Sequence, residues 1–382
     1  EERGHGHGTM GDEGKWNPVY YQDIVPVRQL TDISGHAVRC MYLYCGMADV
    51  AALKNDTGYI AAMDRLWDDV VHRNMYITGG IGSSRDNEGF TEDYDLPNLD
   101  AYCETCASVG MVLWNQRMNQ LTGDSKYIDI LERSLYNGAL AGISLGGDRF
   151  FYVNPLESKG DHHRQEWYGC ACCPSQLSRF LPSIYASSDD ALWVNLYIGN
   201  TGQIRIGETD ILLTQETDYP WDGSVKLTIS TSQPLEKEIR LRIPNWCKTY
   251  DLSINGKRIN VSEEKGYAVI KDWKSQDVIA LDMDMPVEIV AADPHVKENF
   301  GKRAIQRGPL VYCMEEIDNP EYFDQIQLSP STTFQTAFVS DILNGIKTIK
   351  TNGRAQSATF IPYYAWDNRK AGKMRVWIPY NE

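Results

Sequence analysis

The residues best suited to chemistry are cysteines that occur in two tight groups. Cys103 and Cys106 stand three positions apart, and Glu104 lies between them. A second group follows further along the chain and consists of Cys170, Cys172 and Cys173. A CxxC pair combined with a second cysteine cluster is typical of a tetrahedral zinc or iron–sulfur site. The sequence therefore predicts a metal site, with five thiolates and one carboxylate as candidates for four positions.

The alternative interpretation is that these cysteines are buried and behave as small hydrophobic side chains. That interpretation suits single cysteines, but it explains poorly why Cys172 and Cys173 are adjacent and why Cys170 stands two positions before them. The chain has nine cysteines at uneven spacing. An odd number without a regular pattern does not indicate a disulfide framework. Metal binding is the better explanation.

The amino-acid composition limits which classes of protein and of binding partner are plausible. The chain has 382 residues, of which 42% are hydrophobic, so it can bury a substantial core. The 37 basic and 52 acidic side chains give a net charge of -15. This charge argues against nucleic acid and against an anionic membrane surface as partners, because both require basic patches. No apolar run approaches the roughly 18 residues that a membrane-spanning helix needs. The opening residues show no signal-peptide pattern, and the cytoplasm, the periplasm and secretion all stay open.

The elements that must position the cysteines are helices in the first half of the chain. Apolar residues at three- and four-residue spacing predict helices over residues 35–55, 57–74, 101–123, 125–144 and 174–186. Their succession is typical of paired helices packed side by side. We expect Cys103 and Cys106 to share one face of the third helix. Residues 76–100 form a long loop rich in Gly and Asp, and loops of that length are usually functional or disordered.

The pattern changes near residue 188 to short alternating segments rich in Val, Ile, Thr and Tyr. Examples are "SVKLTIST", "EIRLRIPNW" and "YDLSINGKRI", in which Asn255 and Gly256 indicate a tight turn. This spacing of strands and turns is typical of β-sandwiches. We therefore predict a helical domain over residues 1–188 and a β-sandwich region of one or two domains over residues 189–382.

Four longer motifs resemble the β-L-arabinofuranosidases of glycoside hydrolase family 127. They read "YITGGIGSSRDNEGFTEDYDLPN", "AYCETCASVGMVLWNQRM", "LYNGALAGISLGGDRFFYVNPLES" and "CACCPSQLSRFLPSIYA". The second half agrees as well, in "LRIPNWC", "GKRAIQRGPLVYCMEE" and "PYYAWDNRKAGKMRVW". The resemblance extends over nearly the whole chain. It implies an (α/α)6 helical barrel, of which this chain has the C-terminal part and lacks the N-terminal part, followed by β-sandwich domains.

The resemblance also implies a site. The predicted ligands of a Zn2+ ion are Glu104, Cys106, Cys172 and Cys173. Cys172 is expected to be the catalytic nucleophile as well, and Glu88 the general acid/base. His36 and Tyr152 stand where members of the family contact the sugar. The implied activity is a zinc-dependent, retaining hydrolysis of terminal β-L-arabinofuranosyl residues in plant-type oligosaccharides.

The physical sense of the arrangement that the resemblance implies can be argued from chemistry. A retaining glycosidase needs a nucleophile and a proton donor that also activates water. A thiol with a pKa of about 8.5 is mostly protonated at neutral pH, and a bound zinc ion deprotonates a coordinating thiol.

Two other functions stay open at this point: a glycosidase of different specificity on the same scaffold, and a non-catalytic carbohydrate-binding protein with a structural zinc. Taken alone, Glu88 is more often a solvated loop acid, and His36 a core histidine. The oligomeric state is not predicted.

Overall fold

Four α-helices occupy the first part of the described chain. The computed structural model describes residues 17–166, 177–232, 236–352 and 357–382. The helices are α1 (Ala37–Lys54), α2 (Thr57–Arg73), α3 (Thr105–Thr122) and α4 (Lys126–Arg133). A long segment without an α-helix or an extended strand separates α2 from α3, as predicted for residues 76–100. None of the helices in the described ranges is both long enough and apolar enough to cross a lipid bilayer.

The helices enclose a common hydrophobic core with α3 at its centre. α3 is buried continuously from Thr105 to Asn115. Tyr44 of α1 packs on Trp114 of α3, with ring centroids 5.1 Å apart. α2 begins where Asp56 accepts hydrogen bonds from the backbone N–H groups of the next turn, which is the usual role of an aspartate at a helix N-cap. This core fixes the N-terminal end of α3, where the predicted metal ligands lie.

Two of the predicted helices are wrong in part. The fourth helix ends as α-helix at Arg133 and continues as a π-helical turn, Ser134–Ala139, and a 3-10 turn, Leu140–Gly142. The second is the helix predicted over residues 174–186. There, Leu177–Ser183 is a 3-10 helix that contains Pro182, and a β-strand begins at Tyr185. A proline lacks the N–H group that an α-helix interior requires.

The expectation that Cys103 and Cys106 share a helix face is also wrong. α3 begins only at Thr105, so Cys103 precedes the helix and has a φ of 41°. Its side chain belongs to a hydrophobic cluster with Phe151 and Trp366. Cys103 is therefore a buried apolar side chain, and Glu104 stands at the N-cap position of α3.

The remainder of the described chain is mainly β-structure. The strands before residue 243 are β1 (Arg149–Phe150), β2 (Glu157–Ser158), β3 (Gln165–Glu166), β4 (Tyr185–Ser187), β5 (Ala191–Val194), β6 (Asn200–Ile206), β7 (Thr209–Thr217), β8 (Ser224–Thr231) and β9 (Glu238–Arg242). The later strands are β10 (Tyr250–Ile254), β11 (Lys257–Arg258), β12 (Ser262–Glu264), β13 (Tyr267–Ile270), β14 (Val278–Met283), β15 (Val287–Val290), β16 (Lys302–Arg307), β17 (Leu310–Glu315), β18 (Phe334–Val339), β19 (Ile346–Thr351), β20 (Thr359–Pro362), β21 (Met374–Arg375) and β22 (Ile378–Pro379).

Two sheets in the middle of the chain share one hydrophobic core. Within the described residues, one sheet has the strand order β11-β10-β14-β8-β7-β6 and the other β12-β13-β9-β5-β4. Alternate side chains of both sheets are buried together, including Leu213 of β7, Leu227 of β8 and Leu241 of β9. This burial explains the period-two pattern of the sequence, since successive residues of a strand face opposite sides of the sheet.

A third sheet attaches the end of the chain to the helical region. Its main path is β15-β16-β17-β20-β19-β18, and β2 joins it through β21. β17 is buried on both faces: Val311 and Cys313 pack in one hydrophobic cluster, and Tyr312 and Met314 in another. The first cluster includes Phe151, which comes from the helical half.

The predicted order of helices followed by strands in a multidomain chain is confirmed. The closed helical barrel, the sandwich architecture and the domain boundary at residue 188 stay predictions.

Candidate active site

The site begins where two short backbone segments cross. The residue before α1, His36, forms an isolated β-bridge with Gly89. A β-carbon added at Gly89 would lie only 1.7 Å from the carbonyl oxygen of Gly35, so no other residue fits at position 89. Backbone hydrogen bonds fasten the crossing: Ala37 donates to the carbonyl oxygen of Glu88, and Phe90 to that of Gly35. The crossing places the side chains of His36 and Glu88 together.

His36 has both of its ring nitrogens engaged. Nδ1 accepts a hydrogen bond of 3.1 Å from the backbone N–H of Val38, which caps α1. Nε2 lies 2.8 Å from Oε2 of Glu88. Because Nδ1 is an acceptor, the proton is on Nε2 and is donated to the Glu88 carboxylate. Burial lowers the pKa of His36, although the neighbouring Glu88 opposes that change.

Glu104 brings a second carboxylate to the same place. Backbone pairing of Glu104 with Val153 and a hydrogen bond from Thr105 N–H to the Tyr152 carbonyl oxygen fix the start of α3. The Glu104 side chain is buried and hydrogen-bonds to Cys106 and Tyr152. Burial raises the pKa of Glu104, those two hydrogen bonds lower it, and Glu88 raises it.

A cavity of about 430 Å³ opens beside these carboxylates. Glu88, Tyr102 and Tyr152 line it, together with Arg85 and His162. Burial raises the pKa of both tyrosines, and the charges of Glu104 and Glu88 raise it further. The tyrosine hydroxyls therefore stay protonated and can donate hydrogen bonds to hydroxyl groups or to the carboxylates.

One ligand atom from each of His36, Glu88 and Glu104 lies within 4.8 Å of the others, which is close enough for the three to share a metal ion. The hydrogen bonds argue against that triad. His36 uses Nδ1 to accept from Val38 and Nε2 to donate to Glu88, so it has no free lone pair in this arrangement.

Glu104 is the better candidate for a metal ligand. Within the described part of the chain, its Oε2 is buried and has no hydrogen-bond partner, and such a group is costly unless something satisfies it. The buried Cys106 thiol is hydrogen-bonded to the same carboxylate, and a metal ion held by these two side chains would take the place of the thiol proton. The described residues thus fit the predicted zinc site through Glu104 and Cys106.

Three family models together match almost the whole chain. The model of the β-L-arabinofuranosidase GH127 catalytic domain matches residues 4–186, that of the GH127 middle domain residues 191–285, and that of the family 127 C-terminal domain residues 287–379. The chain belongs to glycoside hydrolase family 127.

Individual family 127 relatives agree with this assignment. The chain is 38% identical to a non-reducing end β-L-arabinofuranosidase of Bifidobacterium longum subsp. longum, over 97% of this chain and 63% of the relative. It superposes on the solved structure of a GH127 β-L-arabinofuranosidase from Geobacillus stearothermophilus T6 with a TM-score of 0.90 and 41% identity, over 95% of this chain and 63% of that one. Another solved GH127 β-arabinofuranosidase has a TM-score of 0.90 and 42% identity, with the same coverage. The chain thus spans less than two thirds of the length of these family 127 proteins.

Five of the predicted family 127 site residues come together in the structure. They are His36, Glu88, Glu104, Cys106 and Tyr152. Cys172 and Cys173 lie outside the described residues, as does Cys170. His162 and His163 are adjacent histidines, but no metal-binding group found among the described residues includes either of them. The His162 ring stacks on Phe151 and Trp366, and His163 lies 3.7 Å from Asp367.

Sequence reasoning missed two residues that line the cavity beside Glu88. Tyr102 directly precedes the "CETC" motif, and Arg85 stands three positions before Glu88. The only local signal for either was its proximity in sequence to a predicted site residue. Neither the charge of an arginine nor the ring of a tyrosine distinguishes a cavity residue from an ordinary surface or core residue.

Proposed function

We propose that this chain hydrolyses terminal β-L-arabinofuranosyl residues with retention of configuration at the anomeric carbon. In this proposal Cys172 is the nucleophile and Glu88 the general acid/base. The observation that supports it most is the position of the Glu88 carboxylate, which lies on a cavity wall beside Glu104 and His36. The names of the relatives supply the sugar, and the whole protein's activity remains part of the proposal.

Glu88 is suited to move a proton at the scissile bond. Its side chain is 18% exposed, so it is reachable from the cavity but screened from bulk water. As a general acid it donates its proton to the leaving-group oxygen, and afterwards the same carboxylate takes a proton from the attacking water. The Nε2–H group of His36 holds the carboxylate in one orientation through the 2.8 Å hydrogen bond.

Glu104 and Cys106, together with Cys172 and Cys173, would hold a zinc ion. When bound, the ion keeps the coordinating thiols ionised at neutral pH, which a nucleophilic cysteine requires. The unsatisfied Oε2 of Glu104 supports this ligand set.

His36 and Tyr152 are proposed to contact the terminal sugar. Tyr152 lines the cavity directly, and its pKa is raised, so its hydroxyl stays protonated as a hydrogen-bond donor. His36 is largely occupied by Val38 and Glu88, and a sugar hydroxyl would have to share its contacts.

We also propose that residues 1–188 form the C-terminal part of an (α/α)6 barrel and that residues 189–382 form β-sandwich domains. The hydrophobic core shared by the two middle sheets supports the sandwich. The α3-centred core supports the helical domain.

A purely structural zinc is less well supported, because such a site needs only its four ligands. Here an additional carboxylate, Glu88, lies within 4.8 Å of Glu104 and faces a cavity. Two negative carboxylates at that distance repel each other, which destabilises the site. The predicted set already has four ligands, so a structural zinc ion would gain nothing from Glu88.

The test is hydrolysis of an aryl β-L-arabinofuranoside by the wild type and by Cys172→Ala and Glu88→Gln. Loss of a general acid/base typically costs about 10²–10⁴-fold, and we expect at least that loss from both variants. Glu92→Gln is the matched control, since Glu92 is an exposed acid of the same loop that does not line the cavity. Full activity of Glu88→Gln on a poor leaving group contradicts the proposed role. Hydrolysis of a different aryl furanoside, with the arabinoside left intact, contradicts the proposed sugar.

A further inference from the structure

A separate cavity of about 250 Å³ lies between the helical region and the third sheet. Its walls come from the end of α2, from both ends of the segment that carries Glu88, and from the chain around and after β15. None of the residues that line it also lines the cavity beside Glu88. Arg133 is one of its lining residues, and we call it the Arg133 cavity.

Most of the residues that line the Arg133 cavity are apolar. They include Met75, Ile77, Leu96, Val290, Val296 and Trp377. A cavity of about 150 Å³ with apolar walls can hold benzene, so this one has room for an aromatic ring together with a polar group. Apolar walls with a few polar groups are typical of sites for small organic molecules. A free sugar would leave most of its hydroxyl groups without partners there.

Arg133 brings a positive charge to this cavity and has no counter-ion among the described residues. Its Nη1 donates to the Ile77 carbonyl oxygen at 3.1 Å, and in the described chain it forms no ion pair. The nearest acids in sequence, Asp129 and Glu132, both pair with Arg242. Burial lowers the pKa of Arg133, although these two carboxylates oppose that change. A partly buried guanidinium without a partner is costly, and an anion in the cavity would offset that cost.

Two other charged side chains that line the cavity already have partners. Arg73 lies 3.1 Å from Asp69 and 3.3 Å from Asp93. Asp293 accepts from the backbone N–H of His295 and lies 2.8 Å from the Nδ1 atom of the same residue. The guanidinium without a counter-ion therefore decides which charge the cavity favours. A carboxylate fits a guanidinium well, because its two oxygens can accept two parallel N–H groups.

Contacts within the protein hold the walls of the Arg133 cavity together. The backbone N–H of Tyr94 donates to the Arg73 carbonyl oxygen at 2.9 Å, which fastens the Glu88 segment to the end of α2. The ring of Tyr94 lies 4.8 Å from the ring of His295, between centroids. The Asn98 amide donates to Oδ1 of Asn299 at 2.8 Å. A cavity that is formed before its ligand arrives loses little affinity to the ordering of its walls.

We propose that the Arg133 cavity binds a small organic anion, with a carboxylate on Arg133 and an apolar or aromatic body against the walls. This ligand is distinct from the sugar substrate. The proposed hydrolysis uses none of the residues of this cavity, so the two proposals stand or fall separately.

The test is calorimetric titration of the whole chain at neutral pH with three probes. Benzoate has both a ring and a carboxylate, benzamide has the same shape without the charge, and acetate has the charge without the ring. We expect benzoate to bind with a Kd of about 1 mM or below. Benzamide and acetate should each bind at least about tenfold more weakly, because each lacks one of the two contacts. No binding of benzoate, or equal binding of benzoate and either other probe, overturns the proposal.

Substitution of the arginine assigns the charge preference to this cavity. Arg133→Met should weaken benzoate binding about tenfold and leave benzamide binding within about twofold of the wild type. Arg65→Met is the matched control: in the described chain the Arg65 guanidinium also donates to backbone carbonyl oxygens, and Arg65 does not line the cavity. It should bind benzoate as the wild type does. Unchanged benzoate affinity in Arg133→Met overturns the proposal.

A measurement on the wild type keeps the test independent of how Arg133→Met folds. Crystals of the whole chain soaked with 4-bromobenzoate should show an anomalous bromine peak inside the Arg133 cavity, with the carboxylate against Arg133. A bromine peak only elsewhere, such as in the cavity beside Glu88, contradicts the proposed site.

Discussion

At the scale of single residues, the tautomer of His36 links helix capping to Glu88, the proposed acid/base. Val38 N–H donates to Nδ1, and this leaves the proton on Nε2, where Glu88 accepts it. The His36 side chain thus satisfies one of the otherwise unpaired backbone N–H groups at the start of α1 and also orients the Glu88 carboxylate. These two roles can be separated by substitution.

Two substitutions of His36 separate the cap from the contact. Asparagine is a good N-cap, so His36→Asn should keep the melting temperature near that of the wild type, whereas His36→Ala should lose about 1 kcal/mol of stability. Both variants lose the hydrogen bond to Glu88, and both should lower kcat. Thermal unfolding and steady-state kinetics measure the two effects. A fully active His36→Asn variant contradicts the positioning of Glu88 by His36.

The proposed metal ligands make a prediction that does not depend on activity. Glu104→Gln and Cys106→Ser should each reduce the zinc content of the purified, freshly reduced protein from about one per chain to well below one. Cys45→Ala is the control, because Cys45 is a buried cysteine of α1 in the helical core. Elemental analysis gives the answer directly. Stoichiometric zinc in Cys106→Ser excludes that thiol as a required ligand.

At the scale of elements, the site depends on the crossing of the segment before α1 with the loop before α3. An isolated β-bridge between His36 and Gly89 joins the two backbones, together with the hydrogen bonds from Ala37 to Glu88 and from Phe90 to Gly35. Close approach is possible because position 89 has no side chain. The crossing therefore sets the distance between His36 and Glu88.

Gly89→Ala should open the crossing. Its methyl group would lie 1.7 Å from the Gly35 carbonyl oxygen, so the two segments must separate. We expect a stability loss above about 2 kcal/mol, in the range of strongly disruptive substitutions, together with loss of activity. Gly46→Ala is the control: Gly46 is exposed within α1, nothing lies within 4 Å of the added β-carbon, and alanine is the better helix former. Chemical denaturation distinguishes them, and equal stability of the two variants contradicts this account.

The sequence predicted correctly those helices and strands that are determined by the local pattern of apolar and polar residues. The bounds of α1 and α2, and the strand Ser224–Thr231, follow from apolar periodicity, which the burial of one face imposes. The π-helical turn after α4 has a tertiary cause. Asn137 within it donates to the Pro309 carbonyl oxygen and accepts from Val311 N–H, and these partners are far away in sequence.

The candidate site was predicted for a different reason. Glu88 occupies a left-handed backbone position, with a φ of 51°, in a loop without periodicity. No local pattern distinguishes it from exposed acids such as Glu92. Only the resemblance of the long loop motif to a known family assigned it a role. The same resemblance separated Cys106 from Cys103, which spacing alone treated as equivalent.

At the scale of the whole molecule, a buried ion network joins the helical region to the middle sheets. Arg242 of β9 is fully buried and pairs with Asp129 and Glu132 of α4. It also donates to the Asn195 carbonyl oxygen, and Tyr219 donates to Glu132. A network of this kind is costly when one partner is lost, because charges remain buried without compensation.

Arg242→Met should therefore destabilise the protein strongly, by about 3–5 kcal/mol, since Asp129 and Glu132 remain buried. Burial raises the pKa of Asp129 to about 6 even with the arginine present. The control is Arg205→Ala, which removes an exposed ion pair with Asp210 and should cost less than about 1 kcal/mol. Denaturant unfolding followed by tryptophan fluorescence measures both. Similar losses in the two variants contradict a structural role for the network.

The central claim, that Glu88 is the acid/base for a cysteine nucleophile, is tested most directly by trapping the enzyme between its two steps. With a nitrophenyl β-L-arabinofuranoside the leaving group needs no proton, so Glu88→Gln should form the covalent intermediate and fail to activate water. Intact-mass spectrometry should then show one added pentosyl unit per chain, and peptide mapping should locate it on Cys172. No adduct together with an inverted product, or an adduct on another residue, contradicts the account.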